Sequence, residues 1–84
     1  MTTRSKCHTL ARKLGCELEY RRHRWHGGGA QHVDITLPAG MQVALNPGLD
    51  ALHHECELDE DIWPGVYADL QMLDGGMEPL EEED

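Results

Sequence analysis

The chain has 84 residues, no phenylalanine, two tryptophans and two tyrosines. A single domain of that size buries only roughly 60% of its unfolded surface, which predicts modest stability unless a metal, a partner or a dimer adds to it. Its formal net charge is −9, the wrong sign for a protein that holds polyanions by bulk charge.

That charge is divided along the chain. All seven Lys and Arg lie between Arg4 and Arg24, and with two acidic residues they give the first 32 positions a net +5. From Val33 onward there are fourteen Asp or Glu and no Lys or Arg. Such asymmetry predicts a basic patch apart from an acidic face. No apolar run approaches the roughly 18 residues of a membrane span, and Met1–Leu14 lacks the apolar stretch of a signal peptide. These features predict a soluble, cytoplasmic protein with no membrane partner. Three widely spaced cysteines read as free thiols in a reducing compartment.

In chain order, Thr2 to Leu14 predicts a helix. Cys7, Leu10, Ala11 and Leu14 recur at i, i+3, i+4, i+7, Thr2 or Thr3 caps the start, and Gly15 ends it. Cys16–Tyr20 alternates apolar and polar residues as a half-buried strand does, and it can continue through Arg24. His26-Gly27-Gly28-Gly29-Ala30 predicts a flexible turn. Val33, Ile35 and Leu37 then mark a second strand, Pro38-Ala39-Gly40 a turn, and Met41, Val43 and Leu45 a third strand that Asn46-Pro47-Gly48 stops. Leu52, His54, Cys56 and Leu58 alternate and suggest a fourth strand, although Leu49, Leu52 and His53 also suit a helical turn. Asp59-Glu60-Asp61 before Ile62-Trp63-Pro64 predicts a helix start. Val66, Tyr67, Leu70 and Leu73 give that helix an apolar stripe, and Gly75-Gly76 ends it.

The expected architecture is α+β, a two-layer sandwich in which a three- or four-stranded antiparallel meander carries a helix before and after it. Residues 1–76 form the single domain, and the acidic residues 77–84 read as a disordered tail. The order of elements resembles that of double-stranded-RNA-binding domains and of HicA-type toxin ribonucleases.

The densest group of reactive side chains is Arg21 to His32, with three arginines, three histidines, a tryptophan and three glycines. Arg21, Arg22 and Arg24 with Trp25 and His26 suit a contact tip, where guanidinium groups take carboxylates or phosphates and the indole stacks. The plainer alternative is that the arginines pair with the chain's own acids. A second candidate surface is Asp59, Glu60 and Asp61 with Trp63 and Tyr67, aromatics that either anchor an interface or complete a core without phenylalanine. For metals, His53-His54-Glu55-Cys56 gathers donors close together, and Cys7, Cys16, His23, His26 and His32 are further candidate ligands. However, no Cys-x2-Cys or His-x3-His pair is present. No metal, cofactor or catalytic residue is assigned on this basis.

Two resemblances bear on function. Gly29-Ala30-Gln31-His32-Val33-Asp34-Ile35 resembles the Gly-Ser-His start of the second strand in HicA-type toxins, and this likeness implies a role for His32 in RNA cleavage. Ala30-Gln31 stand here in place of that serine. Separately, Leu10-Ala11-Arg12-Lys13-Leu14-Gly15-Cys16, Leu37-Pro38-Ala39-Gly40, His53-His54 and Trp63 through Tyr67-Ala68-Asp69-Leu70 resemble short proteins of tailed phages of marine cyanobacteria. That likeness implies an accessory protein acting in the host cytoplasm, and it carries no activity. The leading expectation is a small non-catalytic interaction protein that binds a host protein. The alternatives are a nucleic-acid-binding module using residues 21–32 and a ribonuclease using His32.

Overall fold

A computed structural model of the chain describes residues 1–80. It is an α+β fold of two helices and five strands. Helix α1 (Thr3–Leu14) starts where the Thr2 side chain accepts a hydrogen bond from the Ser5 backbone N–H at 3.1 Å. It ends where Gly15 takes φ +78°. The N–H groups of Gly15 and Cys16 then return to the carbonyls of Arg12 and Ala11, a closure that needs a left-handed residue and therefore favours glycine.

Strands β1 (Glu17–Trp25) and β2 (Gly28–Thr36) pair antiparallel over nine residues each, from Glu17 opposite Thr36 to Trp25 opposite Gly28. Their connection is only His26-Gly27. The expected flexible turn over 26–30 is thus corrected, because Gly28, Gly29 and Ala30 belong to β2. Gly29 is small for a packing reason: a Cβ there would lie 2.6 Å from the His23 carbonyl oxygen and collide with the Leu58 side chain.

The predicted meander is corrected at its third member. Strand β3 (Met41–Val43) does not join the main sheet, and β4 (Ala51–Glu57) pairs with β2 instead, giving the order β1-β2-β4. Seven residues of β4 set Leu52, His54 and Cys56 opposite Ile35, Val33 and Gln31, whereas β3 offers three. Leu45, expected on the apolar face of the third strand, is 90% exposed. The chain reverses at this point: the Asn46 N–H bonds back to Val43 and the Leu49 carbonyl accepts from Val43.

Helix α2 (Trp63–Leu73) begins with Pro64 in its first turn, and the Asp61 carboxylate accepts the Trp63 backbone N–H at 3.1 Å. Strand β5 (Met77–Pro79) then pairs antiparallel with β3. Residues 77–79 are therefore a strand, not part of a tail, and the last four residues of the expected tail lie outside the described residues. Burial of the Gln42 side chain drives this pairing. Its amide donates to Glu78 at 3.0 Å and accepts from the Gly48 N–H at 2.7 Å.

Both helices cover one face of the β1-β2-β4 sheet. Cys7 and Ala11 from α1, and Val66, Leu70 and Leu73 from α2, close on Val33 and Ile35, with Ile62, Leu37 and Val43 at the margins. The eleven core residues contain no aromatic ring, so Leu, Ile and Val burial provides most of the stabilisation. Trp63 and Tyr67 are half-buried against this core. Among the described residues, no element covers the opposite sheet face.

Candidate binding surface

Strand periodicity decides what the uncovered face displays, since alternate residues point to opposite sides. From β1 it takes Glu17, Glu19, Arg21, His23 and Trp25; from β2, Ala30, His32, Asp34 and Thr36; from β4, His53, Glu55 and Glu57. The result is a polar, charged surface. The neighbours His53 and His54 are separated by it: His53 stands on the open face, while His54 turns to α2 and places its Nδ1 3.2 Å from the Asp69 carboxylate.

Three imidazoles run diagonally across the open face. The ring centroids of His23 and His32 are 5.1 Å apart, and those of His32 and His53 are 5.0 Å apart. His53 Nδ1 lies 2.7 Å from Asp34 Oδ1 and its Nε2 lies 3.2 Å from Glu55 Oε2. The hydrogen bond to Asp34, then that to Glu55, raises the His53 pKa above the ordinary imidazole value. The same bond from His53 holds Asp34 below the ordinary carboxylate value. His32 lies opposite Glu55 in the register. His32, His53 and Glu55 each bring one donor atom within 4.8 Å of the others. Local sequence hid this grouping, because adjacency in 53–56 suggested His53, His54, Glu55 and Cys56 together. The legible signal was His53 and Glu55 two apart on a strand, with His32 completed by pairing.

The far end of the β1-β2 hairpin, which projects as an arm, carries the predicted contact residues. Arg21 is the arginine that is paired: its Nε and Nη2 both donate to Glu19 Oε1, at 3.0 and 2.6 Å. Among the described residues, Arg22 and Arg24 make no ion pair. Both fall on the helix-side face, beyond the helices, and both are exposed. Trp25, on the other face, is 59% exposed, and His26 sits in the turn, exposed as well.

The acidic turn meets this tip. Trp25, Gly27, Gly28 and Gly29 line an open depression together with Glu57, Leu58 and Asp59. Gln31 holds the turn in place. It is 5% exposed, it accepts the Tyr20 hydroxyl at 2.7 Å, and its amide group donates to the carbonyls of Glu57, at 2.9 Å, and Glu60. Asp59 therefore stands beside the tip, while Glu60 is fixed through its backbone and Asp61 is engaged at the start of α2. Sequence reasoning missed Gln31, since a lone glutamine beside glycines has no pattern.

Trp63 and Tyr67 are placed differently. Trp63 stacks on Tyr20 at 5.5 Å, lies 5.6 Å from the His8 ring, and carries the Arg4 guanidinium over its face at 5.1 Å. Its carbonyl accepts the Cys7 thiol at 3.4 Å. These contacts join α1, β1 and α2, so much of the indole is committed to packing. Cys7 and Cys16 are buried, and that burial raises both thiol pKa values. They lie apart from the open face.

No helix among the described residues is long and apolar enough to cross a membrane. Comparisons with family models, curated proteins and solved structures find no match to this chain.

Proposed function

We propose that the protein is a small non-catalytic interaction protein that binds another protein through the tip of its β1-β2 arm. One observation carries this reading. Ten acidic residues follow Val33 among the described residues, yet Arg22 and Arg24 make no ion pair with any of them, and Trp25, on the opposite face of the same hairpin end, is exposed. A guanidinium pair and an indole at the end of a rigid hairpin supply the residue types that most often anchor interfaces. Glu57 and Asp59 border the same depression and add selectivity, because a partner must offer acids to the arginines while keeping acids away from this rim. The resemblance to short phage proteins suggests a host protein as the partner.

The test is capture of partners from the native cell by the full chain and by two variants. Arg22→Ala with Arg24→Ala and Trp25→Ala loses the partners that the unaltered chain retains. Arg12→Ala with Lys13→Ala, on exposed positions of α1, keeps them. Retention of every partner by the tip variant would refute the reading.

Exposed arginines beside an indole also favour a second reading, a nucleic-acid-binding module. Titration with single- and double-stranded nucleic acid at about 10 mM salt separates the two, since phosphate contacts are strongest at low salt. The acidic remainder of the chain opposes this reading at long range.

A further inference from the structure

We propose that His32, His53 and Glu55 form a binding site for a divalent transition-metal ion of the zinc class on the uncovered sheet face. This site is distinct from the arm tip and does not depend on the interaction proposed for it.

Three features of the fold converge there. First, pairing sets His32 opposite Glu55, and His53 precedes Glu55 by two residues on the same face. One donor atom from each lies within 4.8 Å of the other two. His53 Nε2 and Glu55 Oε2 are 3.2 Å apart. Two donors at zinc bond lengths of about 2.0–2.1 Å in a tetrahedron are separated by about 3.3 Å, so this pair already spans one edge. His53 and Glu55 are exposed and His32 is half-buried, and the His32 donor atom lies within 4.8 Å of both others.

Second, the outer shell is in place. His53 Nδ1 lies 2.7 Å from Asp34 Oδ1. Donation of the Nδ1 proton to that carboxylate leaves the Nε2 lone pair directed at Glu55 and the ion. Histidine ligands of metals characteristically make this contact, which fixes the tautomer and strengthens the donor. Asp34 is thus a positioning residue rather than a ligand.

Third, the donor set selects the ion. Two imidazoles and one carboxylate suit zinc and its d-block neighbours, whereas magnesium and calcium require oxygen ligands throughout. Water completes the coordination, or the His23 ring does, 5.1 Å from His32 on the same face. Asp34 and Glu57 on this face favour a dication, and Arg21, the face's lysine or arginine cation, is offset by its pairing with Glu19.

The competing account is a protonated His53 bridging Asp34 and Glu55 with no ion. Calorimetric titration of the full chain with Zn2+ at pH 7.5, with Mg2+ as control, distinguishes them. One Zn2+ binds per chain and Mg2+ does not. The imidazole NMR signals of His32 and His53 shift on zinc addition, while those of His8 and His26 stay. His32→Ala and His53→Ala each weaken binding by more than about tenfold, and Asp34→Asn by about 10–100-fold. His26→Ala binds as the unaltered chain does. Circular dichroism of each variant confirms that the fold is kept, which these exposed or half-exposed positions allow. Zinc affinity in His32→Ala or His53→Ala equal to that of the unaltered chain, or no stoichiometric uptake at about 100 μM Zn2+, would overturn the site.

Discussion

Replacing Gln31 by alanine is the most informative perturbation of the scaffold, because one buried amide ties the arm to the acidic turn. The substitution removes three hydrogen bonds, from the Tyr20 hydroxyl and to the carbonyls of Glu57 and Glu60. Each is worth about 1 kcal/mol net. The orphaned partners do not add the full burial penalty. The Glu57 carbonyl keeps its bond from the Glu60 N–H at 3.1 Å, and both Tyr20 and Glu60 have access to water. The expected loss is therefore about 3 kcal/mol, a large part of the roughly 4–12 kcal/mol available to a domain of this length. At about 4–8 °C per kcal/mol for a small domain, the melting temperature falls by roughly 12–24 °C. Tyr20→Phe, which removes one of the three bonds, costs about 1 kcal/mol. Urea denaturation monitored by tryptophan fluorescence measures both. A loss below about 0.5 kcal/mol for Gln31→Ala would refute the anchoring role.

Further outcomes follow from the same geometry. Gly29→Ala forces a Cβ against the His23 carbonyl and Leu58 and destabilises by about 1–3 kcal/mol, measurable in the same denaturation experiment; an unchanged midpoint would contradict the close approach. Because the thiolate is the reactive form, Cys7 and Cys16, buried and with raised pKa values, resist a thiol reagent at pH 8 in the native chain. Burial raises the Cys56 thiol pKa too, but Cys56 is only half-buried, and that access makes it label first, as mass spectrometry of timed samples should show. In chelator-treated protein, the His53 imidazole titrates above the ordinary imidazole value by NMR, because its folded pKa is raised by Asp34 and then Glu55. The stability that this ion-pair network adds is complete below the unfolded histidine pKa of about 6.5 and is lost as pH rises through the folded value. Asp34→Asn lowers the titration midpoint.

The helices were legible because their signals are local. Thr2, Gly15, Asp61 and Pro64 mark ends that depend on neighbours in sequence, and the Val66, Leu70, Leu73 stripe is the buried one. Strand existence was also local, and Val33, Ile35 and Leu37 are all buried. Strand partnership was not local. Met41–Val43 and Ala51–Glu57 both carry alternating apolar residues, and the choice of β4 as the neighbour of β2 depends on seven paired residues and on α2 packing against His54. Strand β5 escaped detection because Met77-Glu78-Pro79 has no alternation of its own and exists through pairing with β3. The arm was recognised as a concentration of basic and aromatic groups. Its division into a paired Arg21 and an Arg22 and Arg24 that make no ion pair among the described residues needed the register. The histidine cluster needed it more, since His32 and His53 are 21 residues apart in the sequence and meet through the antiparallel offset of β2 and β4.

Site-specific photo-crosslinking in the native cell tests the arm-tip interface most directly. A photo-reactive residue in place of His26, at the exposed turn between β1 and β2, reports contact without removing Arg22, Arg24 or Trp25. The account predicts a discrete protein adduct from position 26 and none from a matched residue in place of Lys13 on α1. Adducts from position 13 with none from position 26 would contradict it.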